Sequence, residues 1–128
     1  MKIVAVIARL LLGAIFVFFG ANLFLQFLPN PPMPPGPMKD FVMALAVTHY
    51  IHVVAFFQVS TGILLLINRY VPLALTFLAP VIANILATHF LMAPSGIPMA
   101  LFVTLLWFLV FWRVRSAFSG LFQQKVPD

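Results

Sequence analysis

Apolar residues along the chain fall into four long stretches divided by short polar or proline-rich breaks. Ile3–Leu28 is apolar apart from Arg9, Asn22 and Gln26, and it exceeds the roughly 20 residues a helix needs to cross the hydrocarbon. The run continues through Phe16–Phe19 and Leu23–Leu28 to Pro29 without a small-residue cleavage site, so a retained helix over about 3–28 is expected rather than a cleaved signal peptide. The next segment, PNPPMPPGPM at 29–38, cannot continue a helix, because proline lacks the amide donor and clashes with the preceding turn; it predicts a stiff external loop. A second helix is expected over about 41–67, ending at Asn68-Arg69-Tyr70, and a third over about 72–93, with Pro72 at a favourable first position. Pro94-Ser95-Gly96 then turns the chain into a fourth helix over about 97–112, for which Ser95 is a candidate N-cap. The segments that remain are too short or too proline-rich to cross, so neither a fifth span nor a re-entrant segment is expected.

With 128 residues the chain is expected to form one domain, 1–128. Hydrophobic residues make up 64% of it and charged residues 7%, a ratio that would expose large apolar patches if the solvent were water. The expected surroundings are therefore a lipid bilayer, and the expected fold is an all-α four-transmembrane-helix bundle. The net charge of +5 could suggest nucleic acid, but the basic residues are spread between the apolar stretches and form no single basic face, so no nucleic-acid partner is expected. Cysteine is absent, which removes disulfides and thiolate chemistry from this chain.

Those basic residues assign an orientation instead. With four spans, Lys2, Arg9, Arg69, Arg113, Arg115 and Lys125 fall on one side and only Lys39, beside Asp40, on the other. The positive-inside rule then predicts a multi-pass protein of the cell inner membrane with both termini cytoplasmic, and it puts Tyr70 and Trp112 in an inner aromatic belt.

Polar residues within the spans are the candidate chemistry. Arg9, Gly13, Phe16 and Gly20 share one face of the first helix, and the glycines there permit close helix contact. Two placements are open to Arg9, which lies about 9 Å inside the boundary at 1.5 Å per residue. Its side chain either snorkels outward or turns inward toward Gln58, at a depth of about 14 Å on the second helix. Gln58, Thr61 and Gly62 form a small polar face whose ordinary role is packing. Asn84 lies four residues after Pro80, where it either bonds a neighbouring helix or a freed carbonyl, or binds a ligand. His49, His52 and His89, with Asn22 and Gln26, are all expected toward the outer leaflet, and together with Asn84 they make the candidate ligand-binding set. Imidazoles could hold haem or a metal, but no carboxylate and no diagnostic spacing accompanies them, so hydrogen-bonded interfacial histidines are the expectation and no metal site is assigned. No phosphate-binding glycine loop, catalytic triad or carboxylate pair is present in the sequence, so hydrolysis and phosphoryl transfer are not expected.

Four motifs resemble the DoxX family of small four-helix membrane proteins over nearly the whole chain. They are ARLLLGAIFVFFGAN at 8–22, FLP with its proline loop at 27–37, INRYVPLALTFLAPVIANILATHFLMAP at 67–94, and WRVRSAFSGLF at 112–122. The resemblance extends to Arg9, Gly13, Gly20, Gly62, Pro72, Pro80, Asn84 and His89. The chain departs from the family where relatives commonly carry glutamate in the second helix and this one has Gln58 within FFQVSTG; Gln26 and Ala93 stand where histidine and aspartate are frequent. The resemblance implies a membrane subunit associated with a redox system, with a quinone or another apolar molecule as candidate ligand and membrane proteins or further copies of the chain as candidate partners. The alternative it leaves open is a noncatalytic structural or assembly subunit of a larger membrane complex.

Overall fold

A computed structural model describes residues 2–128, and every regular element in them is helical. The elements are α1 (Lys2–Leu25), α2 (Pro37–Val47), α3 (Tyr50–Leu66), α4 (Val71–Leu91) and α5 (Ile97–Val114), with 3-10 turns at Pro94–Gly96 and Arg115–Phe122. Three stretches are long and apolar enough to cross a membrane: α1, α4, and α5 with its flanking turns, with mean hydropathies of 2.6, 1.9 and 2.0. The α2–α3 pair qualifies as a fourth only if taken together, and it is bent by 84°.

That bend corrects the continuous helix expected over 41–67. The chain breaks at Thr48 and His49, where His49 takes a left-handed φ of 62°. Thr48 assists the break: its hydroxyl donates to the Ala44 carbonyl at 2.6 Å and accepts from the Tyr50 amide at 3.3 Å, replacing ladder bonds with local ones. Histidine is among the residues that enter the left-handed region more readily than most. The first helix also stops earlier than expected, at Leu25, because Gln26 is left-handed with φ 52°. Asn22 completes this C-terminus, its carbonyl accepting from the Gln26 amide at 2.7 Å and its side-chain oxygen from the Leu28 amide at 2.9 Å. At the other end of the molecule, Asn68 and Tyr70 are both left-handed and fold the four-residue link from α3 into α4.

Helix α1 packs on α3 and α5, and α4 packs on the same two. Leu12, Leu65, Leu75 and Leu78 are fully buried between them, and Phe16, Val103 and Leu106 extend the core. The outward faces are apolar as well: Phe18, Phe56, Phe102 and Phe108 are exposed, as residues facing hydrocarbon should be. Because lipid is as apolar as the core, helix association here depends on close packing more than on burial. The indole of Trp107 adds one directional link, donating to the Leu75 carbonyl of α4 at 3.0 Å.

The tightest packing is between α1 and α3. A Cβ on Gly13 would lie 2.9 Å from the Gly62 carbonyl oxygen, and a Cβ on Gly62 would lie 2.9 Å from that of Gly13. Seven residues further along α1, a Cβ on Gly20 would meet the Val59 side chain at 2.8 Å. Backbone meets backbone, so the neighbours have little room to move aside. Gly13→Ala and Gly62→Ala should each lower stability by about 1–3 kcal/mol, the usual range for overpacking. Gly120→Ala, where a Cβ meets nothing within 4 Å, is the matched control and should change little. Thermal unfolding in detergent separates the two cases, and equal melting of Gly13→Ala and parent would contradict the close approach.

Candidate functional site

The contact at Gly13 and Gly62 sets an antiparallel register between α1 and α3, and the register decides where Arg9 and Gln58 go. Near one end, Arg9 of α1 reaches the C-terminus of α3, where its guanidinium donates to the Leu65 carbonyl and lies 3.4 Å from the Leu66 carbonyl. These oxygens belong to the last turn, in which an α-helix leaves carbonyls without intrahelical partners and carries partial negative charge. Arg9 therefore neither snorkels free nor pairs with Gln58. The register forbids the pairing, because Gln58 lies opposite Gly20, where a Cβ would meet that of Gln58 at 3.0 Å. Gly20 is eleven positions beyond Arg9 in α1, about 16 Å along the helix axis.

Gln58 instead lines a cavity of about 180 Å³ walled by Ile15, Phe16 and Phe19 of α1, Ile85 and His89 of α4, and Val103 of α5. Phe19 and Met99, each about half exposed on the apolar exterior, form its rim. Gln58 is only 8% exposed as a residue. No buried polar side-chain atom among the described residues lacks a partner, so the carboxamide, which bonds no described residue, keeps its polar atoms accessible from the cavity it lines. An amide in this position keeps two donors and an acceptor available to whatever enters. Across the cavity, His89 Nδ1 lies 2.8 Å from the Ile85 carbonyl. A carbonyl can only accept, so Nδ1 carries a proton, and in the neutral tautomer with that proton Nε2 is an acceptor. The ring is seated against Gly96, where a Cβ would come within 1.9 Å of ring Cδ2, so only glycine leaves room for it.

The other residues of the expected ligand-binding set do not line this cavity. His49 is at the α2–α3 corner rather than on a helix face, with its ring 5.4 Å from that of His52. His52 stacks on Phe24 at 5.1 Å. Asn22 is committed to the end of α1, and Gln26 is exposed there. Asn84 is exposed on α4 and donates to the Pro80 carbonyl at 2.8 Å, a local bond within its own helix. No group of three or more metal-ligating side chains occurs among the described residues. Of the expected set, then, only His89 reaches the cavity, and it is joined by Gln58, expected as a structural polar group. The signal for Gln58 was present in the sequence: it lies three and four residues before Thr61 and Gly62, on the face that a close-packed helix must bury.

The chain matches no family model, no curated protein and no solved structure.

The geometry of Arg9 and Gln58 fixes the sign of a charge substitution. Gln58→Glu places an acid in an apolar cavity beyond reach of Arg9, so it should lower the melting temperature in detergent at pH 8 and lose less at pH 5, where the carboxyl is protonated. Gln58→Leu, which removes an unbonded amide, should be neutral or stabilising by up to about 1 kcal/mol. Arg9→Leu should cost about 1–2 kcal/mol by releasing the α3 carbonyls. A Glu variant more stable than the parent at pH 8 would show that the side chain finds Arg9 after all.

Proposed function

We propose that this chain is a DoxX-like subunit of a membrane redox system that receives the ring of a quinone between its helices. In this reading α1, α3, α4 and α5 are four membrane spans of a cell inner membrane protein with both termini cytoplasmic, and α2 lies along the outer interface. At 17 residues α3 is about 25 Å long, within the short end of spanning helices. The asymmetry of basic residues supports the orientation.

The observation that carries the proposal is the carboxamide of Gln58, a residue 8% exposed, which bonds no described residue and opens on an apolar cavity of one-ring size. An apolar cavity of about 150 Å³ takes up a benzene ring, so about 180 Å³ suits a quinone head while its isoprenoid tail leaves past Phe19 and Met99 into lipid. The Gln58 amide donates to a quinone carbonyl, and its oxygen or His89 Nε2 accepts from a hydroquinone hydroxyl. This chain binds and orients the ring; a partner protein exchanges electrons with it. A noncatalytic assembly subunit is the second reading, favoured by α2, none of whose residues is buried and which leaves a whole helix available to a partner.

Calorimetric titration of the purified protein in detergent with a short-tailed benzoquinone distinguishes the two. Saturable binding that weakens about tenfold in Gln58→Leu, the worth of one hydrogen bond to a buried group, and stays unchanged in Ser60→Ala supports the quinone site. Ser60 bonds its own helix at the Phe56 carbonyl and is absent from the cavity wall. Undiminished binding in Gln58→Leu, or no saturable binding, overturns the quinone site; the latter leaves the assembly reading.

A further inference from the structure

A second cavity, of about 300 Å³, opens at the opposite end of the helices, and its walls carry Lys2 and Arg9 of α1, Asn68 of the α3–α4 link, Val71 of α4 and Arg113 of α5. Three cationic side chains thus converge from two helices. The sequence holds only two acidic residues, Asp40 and Asp128, and neither lines the cavity. Arg9, the most enclosed of the three, spends one nitrogen on the carbonyls of Leu65 and Leu66 and keeps further N–H donors. The start of α4 adds to the same field. Its first backbone bond to the preceding turn is from the Ala74 amide to the Tyr70 carbonyl, and no side chain caps it, so the amide of Val71, which lines the cavity, remains open at the positive end of the helix dipole.

We infer that this cavity binds a phosphate group, whether that of an anionic lipid headgroup or a free phosphate. Like charges held this close repel one another unless an anion enters among them. The preferred anion is tetrahedral and multidentate, because the donors approach from α1, α5 and the start of α4 and cannot all meet a planar carboxylate. The volume is at the lower end of small-molecule sites and suits a headgroup rather than a whole lipid. Tyr70 and Trp112, both exposed at this end, and the Arg115 guanidinium 4.2 Å over the Trp112 ring mark it as the headgroup level of the bilayer, where basic pockets between helices take phosphates. The inference is independent of the quinone site, from which it is separated by the length of the helix core.

Native mass spectrometry of the purified full chain tests it, with phosphatidylglycerol, phosphatidylcholine and inorganic phosphate as probes. The informative comparison is between two double variants of equal charge, Lys2→Gln with Arg113→Gln in the cavity wall, and Arg69→Gln with Arg115→Gln at the same end but outside it. Arg9 is left intact because it also holds the end of α3. The cavity variant should bind phosphatidylglycerol about thirtyfold more weakly than the parent, from the loss of two headgroup-level charges, whereas the outer variant should lie within about twofold of the parent. Displacement of phosphatidylglycerol by millimolar inorganic phosphate identifies a free-phosphate site; retention of the lipid under phosphate identifies a headgroup site. Equal weakening in both double variants, or equal retention of phosphatidylglycerol and phosphatidylcholine by the parent, would overturn the inference by reducing the cavity to diffuse surface charge.

Discussion

Direct contact between the backbones of α1 and α3 at Gly13 and Gly62 is the constraint on which the rest of the structure depends. In a solvent as apolar as the core, helices gain little from burial and much from surface fit, so the point at which two backbones touch dictates register. Once Gly13 faces Gly62, Arg9 must arrive at the final carbonyls of α3 and Gln58 must arrive opposite Gly20. A polar pair that could have hydrogen-bonded is thereby pulled apart. Each member then meets a different environment: Arg9 is satisfied by a helix terminus, and Gln58 is left facing a cavity.

Most other intramembrane polar groups are satisfied locally. Ser60, Thr61, Thr76, Thr88 and Thr104 each donate to the carbonyl four residues earlier, and Asn84 does the same with its amide. Hydroxyls bonded in this way cost little in lipid and offer little to a ligand. Among the side chains that line cavities, polar capacity is unspent in two places: the carboxamide of Gln58 with the Nε2 of His89 in the cavity between the helices, and the cluster of Lys2, Arg9 and Arg113 at the other end. The two cavities owe their opposite characters to the chain's own asymmetry, since nearly all its cations are near the ends of α1, α3 and α5 that meet there.

Much of the architecture was legible in the sequence because α1, α4 and α5 are long, apolar and ended by proline or polar residues. The break between α2 and α3 was not, since the apolar pattern runs through Thr48 and His49 and neither glycine nor proline marks the corner. A left-handed histidine there is a tertiary outcome, not a local signal. His89 was legible as a polar residue of the third span and lines the cavity, whereas Asn22 and Asn84, whose type suits binding as well as capping, bond locally; only coordinates distinguish a side chain that bonds its own helix from one that does not. Gln58 was read as within reach of Arg9, but depth estimated from helix ends ignores where the glycines let two helices touch, and the contact leaves the two side chains far apart along the axis. The partner that Arg9 found, a backbone carbonyl, is one that no residue letter announces.

The most direct measurement of the account is photolabelling of the purified protein with a quinone bearing a diazirine on its tail, followed by peptide mapping. The account predicts label on Phe19 of α1 and Met99 of α5, at the rim beside Gln58, and its suppression by excess unlabelled quinone. Label spread over the lipid-facing residues Phe56, Phe90 and Phe108 and insensitive to competitor would contradict it, because the ring would then be partitioning into detergent or lipid around the helices rather than entering between them.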